Sequence, residues 1–222
     1  MVHMVVSDTH IGDDRGDRNL PSLFKVVEKY AVPDSHLILN GDIFDLAAKM
    51  RLDERHKEFM DVARRHGRIT YIQGNHDWII KCFGDVLSND MRFANELKME
   101  SGGTKFRIIH GHQYDFVANR MPKANRAVIK INHWVRRFTT VDLQLILRTT
   151  KMGKRLLEKQ EKRLARREKW ADVIVAGHTH RPKAERIGDK TYVNTGDWVE
   201  RDNRAFLLIE DDGSFELHRL DR

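Results

Sequence analysis

The chain has one cysteine, Cys82, among 222 residues. A single thiol excludes an internal disulfide, which agrees with a reducing compartment. Cys82 lies in the apolar stretch Trp78-Ile79-Ile80-Lys81-Cys82-Phe83 and reads as a buried structural thiol rather than a reactive one. No run of eighteen or more apolar residues occurs, so no membrane-spanning helix is expected. The opening Met1-Val2-His3-Met4-Val5-Val6 is too short for the apolar region of a secretory leader, and a cytosolic protein is expected. No low-complexity linker or internal repeat breaks the chain. Its length suits one α/β domain over 1–222 with a sizeable core and a small insertion.

Charge is unevenly placed. Residues 117–170 hold 16 Lys or Arg and 4 Asp or Glu, a local charge of +12 that leaves −5 for the rest against a total of +7. Within that segment Val117, Met121, Ala124, Val128, Ile131, Val135 and Phe138 recur at spacings of three and four, giving a helix with one apolar face. Pro122 lies near its start. Residues 141–147 are apolar almost all round, and 156–170 read as a charged helix. Three readings of this basic helical cap compete. It packs its stripe on the core and solvates its cations; it approaches anionic membrane lipid at the inner face of a membrane, with Trp134, Phe138 and Leu145 beside Arg136, Arg137 and Arg148; or it is a nucleic-acid footprint.

Elsewhere strands alternate with helical patterns, the mark of βαβ construction. Residues 21–31 read as one helix, with Leu23, Val26, Val27 and Tyr30 on a face, and 53–66 as a second, with Phe59, Val62 and Ala63 inward. A short helix is expected over 78–87. Residues 91–99 and 104–109, around a Gly102-Gly103 turn, read as a hairpin, and two more hairpins are expected at Gly188-Asp189 and Asp211-Asp212-Gly213. A parallel first half and an antiparallel second half suggest two stacked sheets flanked by helices.

The most informative feature is an ordered set of metal-ligand-type residues: Asp8-x-His10, Asp42, Asn75, His110 and His178-x-His180. Each follows an apolar run that ends in a turn: Met4-Val5-Val6, Leu37-Ile38-Leu39, Ile69-Thr70-Tyr71-Ile72, Phe106-Arg107-Ile108-Ile109 and Val173-Ile174-Val175-Ala176. Five strand ends therefore deliver oxygen and imidazole donors to one edge, where open α/β sheets bind ligands. Two divalent ions need this mixture: carboxylates, one of them able to bridge, and neutral His or Asn to limit the negative charge.

Asp8-Thr9-His10, Gly41-Asp42-Ile43-Phe44-Asp45, Gly74-Asn75-His76-Asp77, His110-Gly111-His112 and Gly177-His178-Thr179-His180 resemble the five signature blocks of the calcineurin-like metallophosphoesterases. Five blocks in order, each with a strand-like lead-in, make coincidence improbable. The end of the chain narrows the likeness: Gly177-His178-Thr179-His180-Arg181-Pro182, followed by 192–200, is similar to the UDP-2,3-diacylglucosamine pyrophosphatase branch, which acts in lipid A synthesis. The segment His110-Gly111-His112-Gln113-Tyr114-Asp115 is similar to that branch's H-G-D-x-x-D, with two departures: His76 stands where the best-known members carry Arg, and His112 where they carry Asp.

The resemblance implies a four-layer α/β/β/α sandwich with two mixed sheets and a helical insertion. It implies one metal held by Asp8, His10, Asp42 and His180, and another by Asp42, Asn75, His110 and His178, with Asp42 as the bridge. Mn2+ is the expected ion, and Fe, Zn2+ or Mg2+ also suit the ligands. Hydroxide formed from a water shared by the two ions would attack phosphorus in line. His76 would stabilise the developing charge or protonate the leaving oxygen, with Asp45 or Asp77 orienting its ring. Arg120, Arg126 and Arg181 are candidate phosphate contacts, with a surface ion pair as the alternative for Arg181. His112 is expected as an outer residue or a substitute ligand. The expected substrate is UDP-2,3-diacylglucosamine or a related nucleotide-diphosphate lipid. Alternatives are a cyclic-nucleotide, nucleic-acid or phosphoprotein phosphoesterase, or a non-catalytic scaffold.

Overall fold

The computed structural model describes residues 1–46, 53–77, 91–115, 127, 131 and 149–220. The expected helix over 78–87 and the amphipathic stripe over 117–138 lie outside these, apart from residues 127 and 131.

Strand β1 (Val2–Val6) leads to two helices, α1 (Asp14–Arg18) and α2 (Leu20–Lys29), and then to β2 (Ser35–Asn40). Helix α3 (Glu54–Ala63) and strand β3 (Arg68–Ile72) follow. Asp53 starts α3 by accepting from the Arg55 amide, while the His56 ring bonds back to the Asp53 amide. Next come β4 (Met91–Ala94), β5 (Glu96–Ser101) and β6 (Thr104–Ile109). Beyond a 3-10 turn at His112–Tyr114 lies helix α4 (Lys151–Arg167). The chain ends with β7 (Val173–Ala176), the hairpin β8 (Lys183–Ile187) and β9 (Lys190–Asn194), and the hairpin β10 (Ala205–Ile209) and β11 (Phe215–Arg219).

One sheet runs β11-β10-β1-β2-β3-β4, the other β5-β6-β7-β9-β8. Strict alternation along the strands makes four layers, because successive side chains leave a strand on opposite faces. Met4, Val6, Leu37 and Leu39 pack with Leu23 and Val27 of α2 and with Phe59 and Met60 of α3. Their neighbours Val5 and Ile38 instead meet Phe106, Val173, Val175 and Val193 of the second sheet. On that sheet's outer face Ile174, Ala176 and Tyr192 pack against Leu164 and Ala165 of α4. Helices, sheet, sheet and helix are thus stacked as expected.

Three local expectations are corrected. Residues 91–99 are not one strand: β4 pairs parallel with β3 in the first sheet, whereas β5 pairs antiparallel with β6 in the second. Phe93 packs against Tyr71 and Leu97 enters the inter-sheet core, so the chain changes sheets around exposed Asn95. The second half is not wholly antiparallel, since β6, β7 and β9 are mutually parallel and only β5 and β8 run against them. Helix α4 begins at Lys151 and ends before Trp170, because the Glu168 carboxylate gathers the amides of Lys169, Trp170 and Ala171 and so stops the helix.

At the start of β2, away from the ligand-bearing loops, Nε2 of buried His36 bonds Thr70 Oγ1 at 2.8 Å and Nδ1 faces His3 Nδ1 at 3.1 Å. Burial, then the neighbouring His3, Arg68 and Arg92, pushes the His36 pKa down to about 3. Unfolding restores an ordinary value near 6.5, so the unfolded chain binds the extra proton and stability falls as pH drops below about 6.5 toward 3. In thermal melts with chelator, His36→Gln is expected to flatten this acid limb, narrowing the loss of Tm between pH 7 and pH 4.5 by about 4 °C. Parallel pH profiles for variant and wild type would contradict that role.

Candidate metal centre

The loops after β1 and β2 lie side by side, with the amides of Asp8, His10 and Ile11 donating to the carbonyls of Gly41, Asp42 and Ile43. Among the described residues, the non-glycine positions with positive φ are Asp8, His10, Asp42, His178 and His180, at 48° to 64°. Every one belongs to the expected ligand set. A left-handed backbone costs a non-glycine residue on the order of 1–3 kcal/mol, and it persists where surrounding structure holds it for a purpose. The two D-x-H and H-x-H segments thereby fold sharply enough to turn both of their side chains into one site.

Two donor groups result. Asp8, His10 and His180 offer atoms that lie within 4.8 Å of one another, and so do Asp42, His110 and His178. His180 Nε2 is 3.0 Å from Asp8 Oδ1, and His110 Nε2 is 3.2 Å from Asp42 Oδ2. Burial opposes charge on these groups, yet Asp8 stays well below the usual carboxylate range beside His180 and His110, and so does Asp42 beside His110 and His76. Burial likewise works against the His110 cation, and Asp42 and Asp8 outweigh it, raising that imidazole to about 10. Anions and imidazoles are packed at distances that a cation would share. Buried His10 Nε2 and Asn75 Oδ1 have no hydrogen-bond partner. Carboxylate oxygens, imidazole nitrogens and one amide oxygen with unsatisfied atoms among them fit two borderline divalent cations.

Outer contacts fix the rings. His110 Nδ1 donates to the Asn40 carbonyl at 2.9 Å, leaving Nε2 toward Asp42. His180 Nδ1 lies 3.2 Å from Asp197, and His178 Nε2 lies 3.2 Å from Asp115. The amides of His76 and His178 donate to the carboxylates of Asp42 and Asp8, at 2.7 Å and 3.0 Å. Asp197 lies in the 192–200 stretch and is not among the expected ligands. Its signal was a Gly196-Asp197 pair at the end of β9, the pattern that marks Asp42 at the end of β2.

His76 is 4% exposed, with Nδ1 3.0 Å from Asp45 Oδ1; the other Asp45 oxygen is 3.7 Å from His10. Burial lowers the His76 pKa, but the carboxylates of Asp42 and Asp45 outweigh it and raise it to about 9. The ring lies beside the donor groups, 4.7 Å between its centroid and that of His10, where an imidazolium could serve as a proton donor. Asp77, the other expected partner of His76, instead accepts from Gly74 N, Ile43 N and Tyr71 Oη at 2.6, 3.1 and 2.6 Å. It staples the loops together, and the carboxylate in contact with the His76 ring is that of Asp45.

A family model for the calcineurin-like phosphoesterase superfamily domain matches residues 1–211. The chain belongs to that superfamily. This phosphoesterase is accordingly a metal-dependent hydrolase of phosphoester bonds. No curated protein matches it in sequence. Among solved structures, a novel archaeal phosphodiesterase shares its fold, with 17% identity over 99% of this chain and 100% of that one and a TM-score of 0.53. Vps29 from Entamoeba histolytica, as a single mutant, aligns at 16% identity over 100% and 99% of the two chains, with a TM-score of 0.49. A Thermotoga maritima protein aligns at 18% identity over 99% of each, also with a TM-score of 0.49.

Other candidates in the phosphoesterase sit further out. The His112 ring centroid is 5.4 Å from that of His110 and 6.4 Å from that of His178, and its buried Nδ1 has no hydrogen-bond partner. Burial, then the His110 and His178 rings, pushes the His112 pKa down to about 3, so the ring is neutral beside the second donor group. Arg181 faces α4, with Nη2 3.2 Å from Glu158 and Nη1 3.6 Å from Glu161. That is the ion-pair alternative, with the partners on a helix. Arg120 and Arg126 lie outside the described residues. Among the described residues no helix is long and apolar enough to cross a membrane.

Proposed function

We propose that the centre binds two divalent ions, Mn2+ by preference, and cleaves the pyrophosphate of a nucleotide-linked acylated sugar such as UDP-2,3-diacylglucosamine. The observation carrying the hydrolytic part is the pair of donor groups, Asp8/His10/His180 and Asp42/His110/His178, each drawn together within 4.8 Å. Asn75 would complete the second group, and Asp42, shared, the first. Bound ions would supply charge neutralisation on phosphoryl oxygens and activation of water. Around them the protein's own groups act: His76 donates a proton or hydrogen bond to the leaving oxygen, Asp45 holds its ring, and burial of both excludes bulk water.

The substrate class rests on the sequence blocks around His178 and Asp197 and on the insertion 117–170, which we propose as a cap over acyl chains. Helix α4 supports an anionic partner. Its exposed face carries Lys159, Lys162, Arg163, Arg166 and Arg167, which line a groove of about 330 Å³. We assign this face to peripheral contact with anionic lipid, and Arg120 and Arg126 to contact with substrate phosphate. Since the groove is lined by cations alone among the described residues, nucleic-acid phosphate is the second reading.

Protein loaded with Mn2+ and given UDP-2,3-diacylglucosamine is expected to release UMP, and also to hydrolyse bis-p-nitrophenyl phosphate. Diester hydrolysis without UMP release would reject this substrate and keep the two-ion centre. Salt-sensitive DNA binding with nuclease activity would then mark the second reading.

A further inference from the structure

One turn of α4 touches two of the loops that carry candidate histidines. Gln160 Nε2 donates to the carbonyl of Gly111, between His110 and His112, at 3.3 Å. Glu161, 1% exposed, accepts the Thr179 hydroxyl at Oε1 over 2.9 Å and the Lys183 ammonium at Oε2 over 2.6 Å. Thr179 sits between His178 and His180, which belong to different donor groups. Its hydroxyl also accepts from Asn194 Nδ2 at 3.0 Å, so its own hydrogen is committed to Glu161. Asn194 in turn holds the Gly177 carbonyl at 2.7 Å and accepts the Arg181 and Gly196 amides.

A buried carboxylate on a helix is costly unless it is fully bonded, and here the bonds all run to one loop and its flank. That loop also has two left-handed residues, His178 at φ 64° and His180 at φ 55°, which need anchoring from outside. We propose that α4 is a clasp on the metal centre and that Glu161 is a positioning residue, acting through Thr179 to hold His178 and His180 toward their two ions. This assignment rests on the two-ion reading. It gives the last helix before β7 a task beyond covering the sheet: the spacing of the two ions depends on it.

The test uses the full chain loaded with Co2+, whose visible absorption reports ligand geometry independently of turnover. Glu161→Ala and Thr179→Val are each expected to weaken Co2+ binding at one or both sites about 10- to 100-fold and to change the absorption spectrum. They should lower kcat on bis-p-nitrophenyl phosphate with KM held within about twofold. Glu161→Gln, which keeps an oxygen for Thr179, should recover most of the affinity, and the Glu161→Ala/Thr179→Val pair should be no worse than either single change. Lys57→Ala on the exposed face of α3 should match wild type. Unaltered Co2+ affinity and spectrum in folded Glu161→Ala would overturn the clasp, and so would additive effects of the two substitutions or a Gln variant as poor as Ala. Wild-type protein that takes up no Co2+ would instead overturn the two-ion reading.

Discussion

Asp42→Ala is expected to cut turnover of any phosphoester substrate about 1000-fold or more, equivalent to about 4 kcal/mol of transition-state stabilisation. It should also lower the bound metal from two ions toward one. The expectation follows from how many groups converge on one carboxylate. Asp42 Oδ1 accepts the His76 amide at 2.7 Å, and Oδ2 lies 3.2 Å from His110 Nε2. Its charge is also the largest influence lifting His76 and His110 against the burial that pushes both down. Without it the metal loses the ligand expected to bridge, and the His76 amide loses its acceptor. Asp42→Asn retains the shape and removes the charge, so it separates the two effects. Metal content per chain and kcat measured together decide the matter. A variant holding two ions and working within tenfold of wild type would remove Asp42 from the bridging position.

The ligand set was legible because each member ends an apolar run, and a run that stops at a sharp turn leaves a readable edge in sequence. Asp8, Asp42, His110 and His178 are found that way, and the structure brings them together as donors. Sheet assignment was less legible. Met91, Phe93, Leu97 and Met99 fall on one parity, as a single strand would, yet the first two pack on the helix side of one sheet and the last two in the inter-sheet core. Alternation reports which residues share a face and is silent on which sheet owns it. Helix α4 was read as starting at 156, five residues late, because its buried stripe opens on Gly153, which carries no apolar mark. Glu161 and Asp77 were opaque for a related reason. A carboxylate that buries itself by gathering hydrogen bonds from distant loops carries no periodic mark.

Gly74→Ala is expected to lower activity about 100-fold and to cost about 1–3 kcal/mol of stability, a fall in Tm of several degrees. A Cβ there would sit 2.1 Å from Asp42 Oδ1 and 2.3 Å from the Asp42 amide, neither of which can move away without dragging the candidate bridge. The Gly74 amide also donates to Asp77 at 2.6 Å, so the loop has little freedom to retreat. Gly74 is not among the glycines with positive φ, and the cost is therefore steric and falls on a ligand. Gly103→Ala supplies the contrast: φ there is +81° and a Cβ would meet nothing within 4 Å. Its cost is conformational, of order 1 kcal/mol, and should leave kcat and metal content unchanged. Equal loss of stability with unequal loss of activity would assign the strand-end glycine to the metal centre. Full activity in Gly74→Ala would mean that Asp42 tolerates displacement, and then it could not be the ligand that two ions share.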